Sequence, residues 1–149
     1  MRARDLMISP PFVVTPDEPV SRAAAMMHDY GVGAIPVVDH RVTMHPVGII
    51  TDRDIVIRCT ARGHAASCPV RAHMSPAPLA SVAPGDDVEE VMDTMRERQV
   101  RRVMVIDDGR LVGIVALADV ARHEGPRDPL GTEKVLYRIS KPRHPAAVA

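Results

Sequence analysis

The chain holds 149 residues, 46% of them hydrophobic, and its 19 Lys and Arg are balanced by 19 Asp and Glu. Zero formal charge argues against a nucleic-acid reader, and two Tyr, one Phe and no Trp leave no stacking platform for single strands. No apolar run approaches the length of a membrane helix, and a core must come from Val, Ile, Ala, Leu and nine Met.

In chain order, the opening MRARDLMISP has no long apolar stretch and reads as no signal peptide, so a cytoplasmic protein is expected. Val20, Ala23, Ala24 and Met27 fall at i, i+3, i+4 and i+7. This predicts a one-sided helix over 20–30, with Pro19 at its first position and Gly31 as a left-handed stop. A short strand follows at Ala34–Val38, then a turn, a second strand carrying Gly48 and a helix starting near Thr51. TARGHAASCPVR at 60–71 reads as a linker. Val88, Val91, Met92 and Met95 repeat the helical spacing over 88–99. A strand at Val103–Ile106, the hairpin turn DDGR at 107–110, a strand with Gly113 and a helix from Leu117 complete the series. GPRDPLG at 125–131 is turn-rich, TEKVLYRI at 132–139 suits a short helix, and SKPRHPAAVA reads as a loose tail.

The chain is therefore written twice. VSRAAAMMHDYGVGAIPVVD (20–39) aligns without a gap on VEEVMDTMRERQVRRVMVID (88–107), and the hairpin of the first copy is three residues longer. Each copy is a β-β-α unit with a leading helix, roughly 55 residues and too small to bury both faces of a sheet alone. The expected architecture is α/β, with two pseudo-two-fold-related repeats packed sheet to sheet. Its parts are repeat one at 3–59, a linker at 60–71, repeat two at 72–124 and a C-terminal extension at 125–149.

GAIPVVD with GIITDRD in the first copy, and RRVMVIDDGRLVGIVALAD in the second, resemble the CBS domain, which occurs in tandem pairs called Bateman modules. The layout is similar to small stand-alone bacterial two-CBS proteins such as the hypoxic response protein group. The family places a proline in the first strand of each copy; Pro36 keeps it and Met104 replaces it. The resemblance implies a regulatory module that binds an adenine nucleotide (AMP, ADP or ATP), needs no cofactor and forms a homodimer. Soft contacts for that dimer are expected from Met26, Met27, Met92 and Met95.

Thr51 is expected where a strand ends and a helix begins, where free N–H groups and the helix dipole favour phosphate. Arg53 supplies a planar cation, and the Asp54 carboxylate accepts from ribose hydroxyls. Thr51-x-x-Asp54 is equally a helix capping box. By the resemblance, one site joins Thr51, Arg53 and Asp54 to Val100, Arg101, Arg102 and Val103. Strand alternation assigns the phosphate role to one of the two arginines. A second, weaker site joins Val32, Gly33, Ala34 and Ile35 to Asp119, because Ala116 and Ala118 stand where the first copy has Thr51 and Arg53. The alternative is an interaction or stress-response module that binds no nucleotide and regulates an unknown protein partner.

No nucleophile elbow, P-loop or dinucleotide fingerprint is present, so no enzyme is expected. Cys59 and Cys68 fit neither a zinc knuckle nor a CxxC pair and read as free thiols, with a disulfide between them left open. His40 and His45 share one hairpin and read as surface residues. His64 and Cys68 lie four apart, but two ligands in linker composition carry no metal expectation.

Overall fold

The computed structural model describes residues 1–124 and 129–139. The elements are α1 (Ala3–Leu6), α2 (Val20–Tyr30), β1 (Ala34–Val38), β2 (Pro46–Thr51), α3 (Asp52–Asp54), β3 (Ser75–Pro76), β4 (Ser81–Val82), α4 (Val88–Arg98), β5 (Arg102–Asp107), β6 (Arg110–Ala116), α5 (Leu117–Glu124) and α6 (Pro129–Ile139). They form a mixed helix and strand fold with two three-stranded sheets, ordered β1-β2-β3 and β4-β5-β6.

Two compact units emerge, and each borrows its leading segment from the far side of the repeat. One holds residues 10–79 with the hairpin tip 107–112. The other holds 1–9, 80–106 and the described residues from Gly113 on. Residues 75–76 extend the first copy's sheet as β3, antiparallel to β2, while Ile8 bridges Ile114 on β6. The glycine of each second strand is the contact point. A Cβ on Gly48 would lie 2.7 Å from Met74 Sδ and 2.8 Å from the Ser75 carbonyl. On Gly113 it would meet the Met7 side chain at 2.4–2.9 Å.

The sequence periodicity also stopped short of the true repeat. Val14 bridges Val37 in parallel, and Val82 pairs with Val105 in the same sense; both pairs are 68 residues apart along the chain. Neither Val14 nor the two-residue strands β3 and β4 were expected, because segments so short show no alternation.

In the first unit the inner face of the sheet offers Ile35, Val37 and Ile50, and α2 offers Val20, Ala23 and Met26, all in one buried cluster with Val14, Cys59 and Val70. Each such aliphatic side chain stabilises the fold by about 1.5–3 kcal/mol when fully buried. Phe12 stacks on Tyr30 at its edge, with ring centroids 4.0 Å apart. In the second unit Val91 and Met95 of α4 are buried along with Val103 and Val105 of β5 and Val115 of β6. This corrects the expected Met interface. Met26, Met92 and Met95 are 8%, 9% and 0% exposed, and Met27 packs partly buried against the core. The apolar stripe of each helix is covered within the chain itself.

Helix ends follow local chemistry. Gly31 stops α2 at φ 64°, as expected, while Gln99 takes the left-handed position after α4 at φ 53°. Pro19 is the extended cap of α2 rather than its first residue. It offers no side-chain acceptor, and the exposed donors are met by the 60–71 segment instead. Val20 N–H donates to the Cys68 carbonyl (2.8 Å) and Ser21 N–H to that of Ala66 (3.0 Å). By contrast α4 carries its own Asp87–Glu90 capping box. The expected helix at 132–139 starts earlier, with Pro129 at its first position. Residues 125–128 of the turn-rich stretch and the tail from 140 lie outside the described residues.

Candidate functional site

Each strand entrance lies beside its own copy's helix start. Ala34 pairs with Thr51, and Asp52 N–H donates to the Gly33 carbonyl at 3.0 Å. In the other unit Leu117 N–H donates to the Arg101 carbonyl at 2.8 Å. These equivalent bonds hold the turn from strand to helix in place.

The first turn is a full capping box. Thr51 N–H donates to Asp54 Oδ2 at 2.9 Å, and Asp54 N–H donates to Thr51 Oγ1 at 3.1 Å. The Thr51 hydroxyl accepts in this bond and keeps its own proton to donate. Asp54 Oδ1 is 3.7 Å from Arg58 Nε, too long for a strong hydrogen bond. Arg53 is exposed beside it. The helix runs three residues before passing into a π-helical turn, Ile55–Cys59, and then a 3-10 turn, Thr60–Arg62.

The second turn keeps half of this arrangement. Ala116 N–H donates to Asp119 Oδ2 at 3.0 Å, but no hydroxyl returns the bond. Asp119 is 6% exposed, and its Oδ1 is engaged by Arg122. Ala116, Leu117, Ala118 and Ala121 line a cleft of about 320 Å³, with Arg101 and Arg102 on its wall and Leu136 of α6 closing one side. Of the adjoining strand residues, Val103 is buried and Val100 half-buried; in the first copy Ala34 and Ile35 are buried, with Val32 and Gly33 half-buried. The buried members can present only backbone to a ligand.

The CBS domain pattern matches residues 3–59 and 70–125. The chain belongs to the CBS domain family. The CBS domain-containing protein YhcV of Bacillus subtilis is 37% identical over 129 residues, covering 87% of this chain and 89% of its own. Hypoxic response protein 1 of Mycobacterium tuberculosis is 37% identical over 121 residues, covering 81% and 83%. The crystal structure of Hypoxic Response Protein I with two coordinated zinc ions matches this CBS pair with a TM-score of 0.73 at 35% identity, over 83% of this chain and 98% of that one. A CBS domain protein from Pyrobaculum aerophilum complexed with AMP matches at a TM-score of 0.72 and 23% identity, over 80% and 90%, and shows the shared fold.

A second constellation spans the segment after the first CBS motif and the start of the second. His64, Cys68 and His73 bring one ligand atom each to within 4.8 Å of one another, the one such group among the described residues. Reading by spacing stopped at His64 and Cys68. The signal that extends it is the spacing H-x3-C-x4-H across a stretch with two prolines and a glycine within reach, where turns bring such residues together. His40 and His45 stay exposed on their hairpin, with His40 Nδ1 accepting from Val42 N–H and His45 Nδ1 3.5 Å from Asp39.

Proposed function

We infer that the protein is a regulatory module that binds an adenine nucleotide at the helix start of its first CBS repeat. The observation that carries this reading is the Thr51–Asp54 capping box. It holds a carboxylate and a hydroxyl in fixed positions at a strand-to-helix turn, with Asp54 Oδ1 only loosely paired and Arg53 exposed for phosphate. Asp54 accepts ribose hydroxyls, while Thr51 Oγ and Arg53 face the phosphate. The AMP complex of the Pyrobaculum relative supports the ligand class. At the second turn Asp119 is buried and engaged by Arg122, which supports a weaker site there.

Calorimetric titration with AMP, ADP and ATP tests the reading. Asp54→Ala is expected to weaken binding by about 1–3 kcal/mol through loss of ribose hydrogen bonds, and Asp119→Ala by less. Equal losses in the two variants would reject the asymmetry. A wild-type protein that binds none of the three at millimolar concentration would reject nucleotide sensing. It would leave the interaction module, for which Val56 and Ile57, 59% and 45% exposed, offer an apolar contact. The reading assigns the protein to the reducing cytoplasm, in keeping with the free thiols of Cys59 and Cys68. It also assigns a homodimer, on surface other than the Met stripe; a light-scattering mass near 16.2 kDa would remove that assignment.

A further inference from the structure

We propose that His64, Cys68 and His73 form a zinc-binding site where the segment after the first CBS motif runs into the start of the second. The donor set is one thiolate and two imidazoles, which suits zinc, and three protein ligands leave a fourth position for water.

Placement is the first argument. His64 follows Gly63, whose φ of 69° turns the chain back, and its N–H donates to the Cys59 carbonyl at 3.0 Å. The Cys59 thiol points to the carbonyls of His64 (3.6 Å) and Ala65 (3.7 Å) from below. Cys68 N–H donates to Ala65, and the Cys68 carbonyl caps α2 at Val20. His73 ends the 3-10 turn Val70–Ala72, its N–H bonded to the Val70 carbonyl and its own carbonyl accepting from Arg58 (3.2 Å). The backbone of all three ligands is thus fixed independently of any metal. Tetrahedral zinc needs ligand atoms about 3.3–3.6 Å apart, given its bond lengths. Closing from within 4.8 Å requires small rotations of exposed His64 and half-buried Cys68.

His73 supplies the second argument. It is 2% exposed, and its Nε2 is buried with no hydrogen-bond partner. A buried polar atom without a partner is costly, so the position calls for one. In the chain's other leading segment Asp5 stands 68 residues earlier, exposed, and accepts a hydrogen bond from Arg2 N–H at 2.8 Å. The imidazole that replaces it instead faces the His64 ring, with centroids 5.3 Å apart. His64 also lines a cleft of about 380 Å³ with Ser21, Ile55 and Thr60, which gives a metal-bound water room.

The test uses the full chain under reducing conditions, with Co2+ as a spectroscopic probe and Zn2+ as competitor. One equivalent of Co2+ is expected to give a sulfur-to-metal charge-transfer band and tetrahedral visible bands, both bleached by Zn2+. Cys68→Ala is expected to abolish the charge-transfer band. His64→Ala, at an exposed position that the fold tolerates, is expected to weaken Zn2+ binding at least tenfold and to remove the rise in melting temperature that Zn2+ gives the wild type. A wild type without a thiolate band overturns the proposal. So does undiminished Zn2+ affinity in Cys68→Ala and His64→Ala, which would place binding on other surface histidines.

Discussion

The helix starts at Thr51 and Ala116 occupy the same place in two copies of one motif, yet one is a reciprocal cap and the other is not. Asp54 and Asp119 both accept a backbone N–H from three residues earlier, at 2.9 and 3.0 Å. Only Thr51 returns the bond. The carboxylate therefore serves the fold in both copies, and conservation of a cap alone says nothing about a ligand. What separates the two is the rest of the group: Asp54 Oδ1 lies 3.7 Å from Arg58, whereas Asp119 is 6% exposed and tied to Arg122. A repeat thus keeps its structural contact while the freedom of the remaining oxygen diverges.

The largest expected break in the pseudo-symmetry comes from the glycines. Gly48→Ala and Gly113→Ala each force a Cβ into a neighbouring segment and should cost about 1–3 kcal/mol in denaturant unfolding. The rescue differs. The two nearest contacts at Gly113 are the Met7 Sδ and Cγ, which Met7→Ala removes while the Cβ stays at 2.9 Å, so Met7→Ala should recover part of the Gly113→Ala loss. At Gly48 the Ser75 carbonyl stands 2.8 Å away, and Met74→Ala should not rescue. Equal rescue at both sites would show that the Ser75 backbone moves easily.

The cap difference is smaller and tests the comparison directly. Thr51→Ala should destabilise by ~1 kcal/mol, and Ala116→Thr, which supplies the missing hydroxyl, should stabilise by up to about the same amount. If Ala116→Thr gains nothing in thermal unfolding, the second turn has a geometry that a hydroxyl cannot use.

The smallest effect lies in the loop before each leading helix. Thr15 N–H donates to Glu18 at 2.6 Å, and at the equivalent place Ala83 N–H donates to Asp86 at 2.8 Å. The longer hairpin of the first copy adds Arg41, whose guanidinium bonds both Glu18 oxygens at 2.8–2.9 Å. Burial pushes Glu18 up, but the Thr15 N–H and Arg41 outweigh it and hold it below its ordinary 4.5. The ionised form therefore contributes stability that is present above the unfolded value and lost as pH falls through the lower folded one. Arg41→Met should lower stability at pH 7 by a fraction of a kcal/mol for so exposed a cation and raise the acid-unfolding midpoint slightly, the difference fading below the folded Glu18 value. An unmoved acid midpoint would show that Thr15 alone accounts for the shift.

Much of this was legible in the residues. Period-3.6 spacing located α2 and α4, Gly31 marked its own stop, and Thr51-x-x-Asp54 announced the capping box, because each depends on neighbours within one turn of chain. The duplication carried the family. Tertiary structure alone decided that the Met stripes are core, since a helix periodicity reports that a face is covered but not by what. It decided that residues 1–9 and 70–79 pack in the unit of the other repeat, because a two-residue strand or one-turn helix leaves no pattern to read. It also decided that His73 joins His64 and Cys68. Three residues spread over ten positions of turn-rich chain meet only when the carbonyls of that segment cap α2 and Val70 anchors it in the core. Local periodicity is written in the order of residues; the meeting of side chains across turns is written only in the packing.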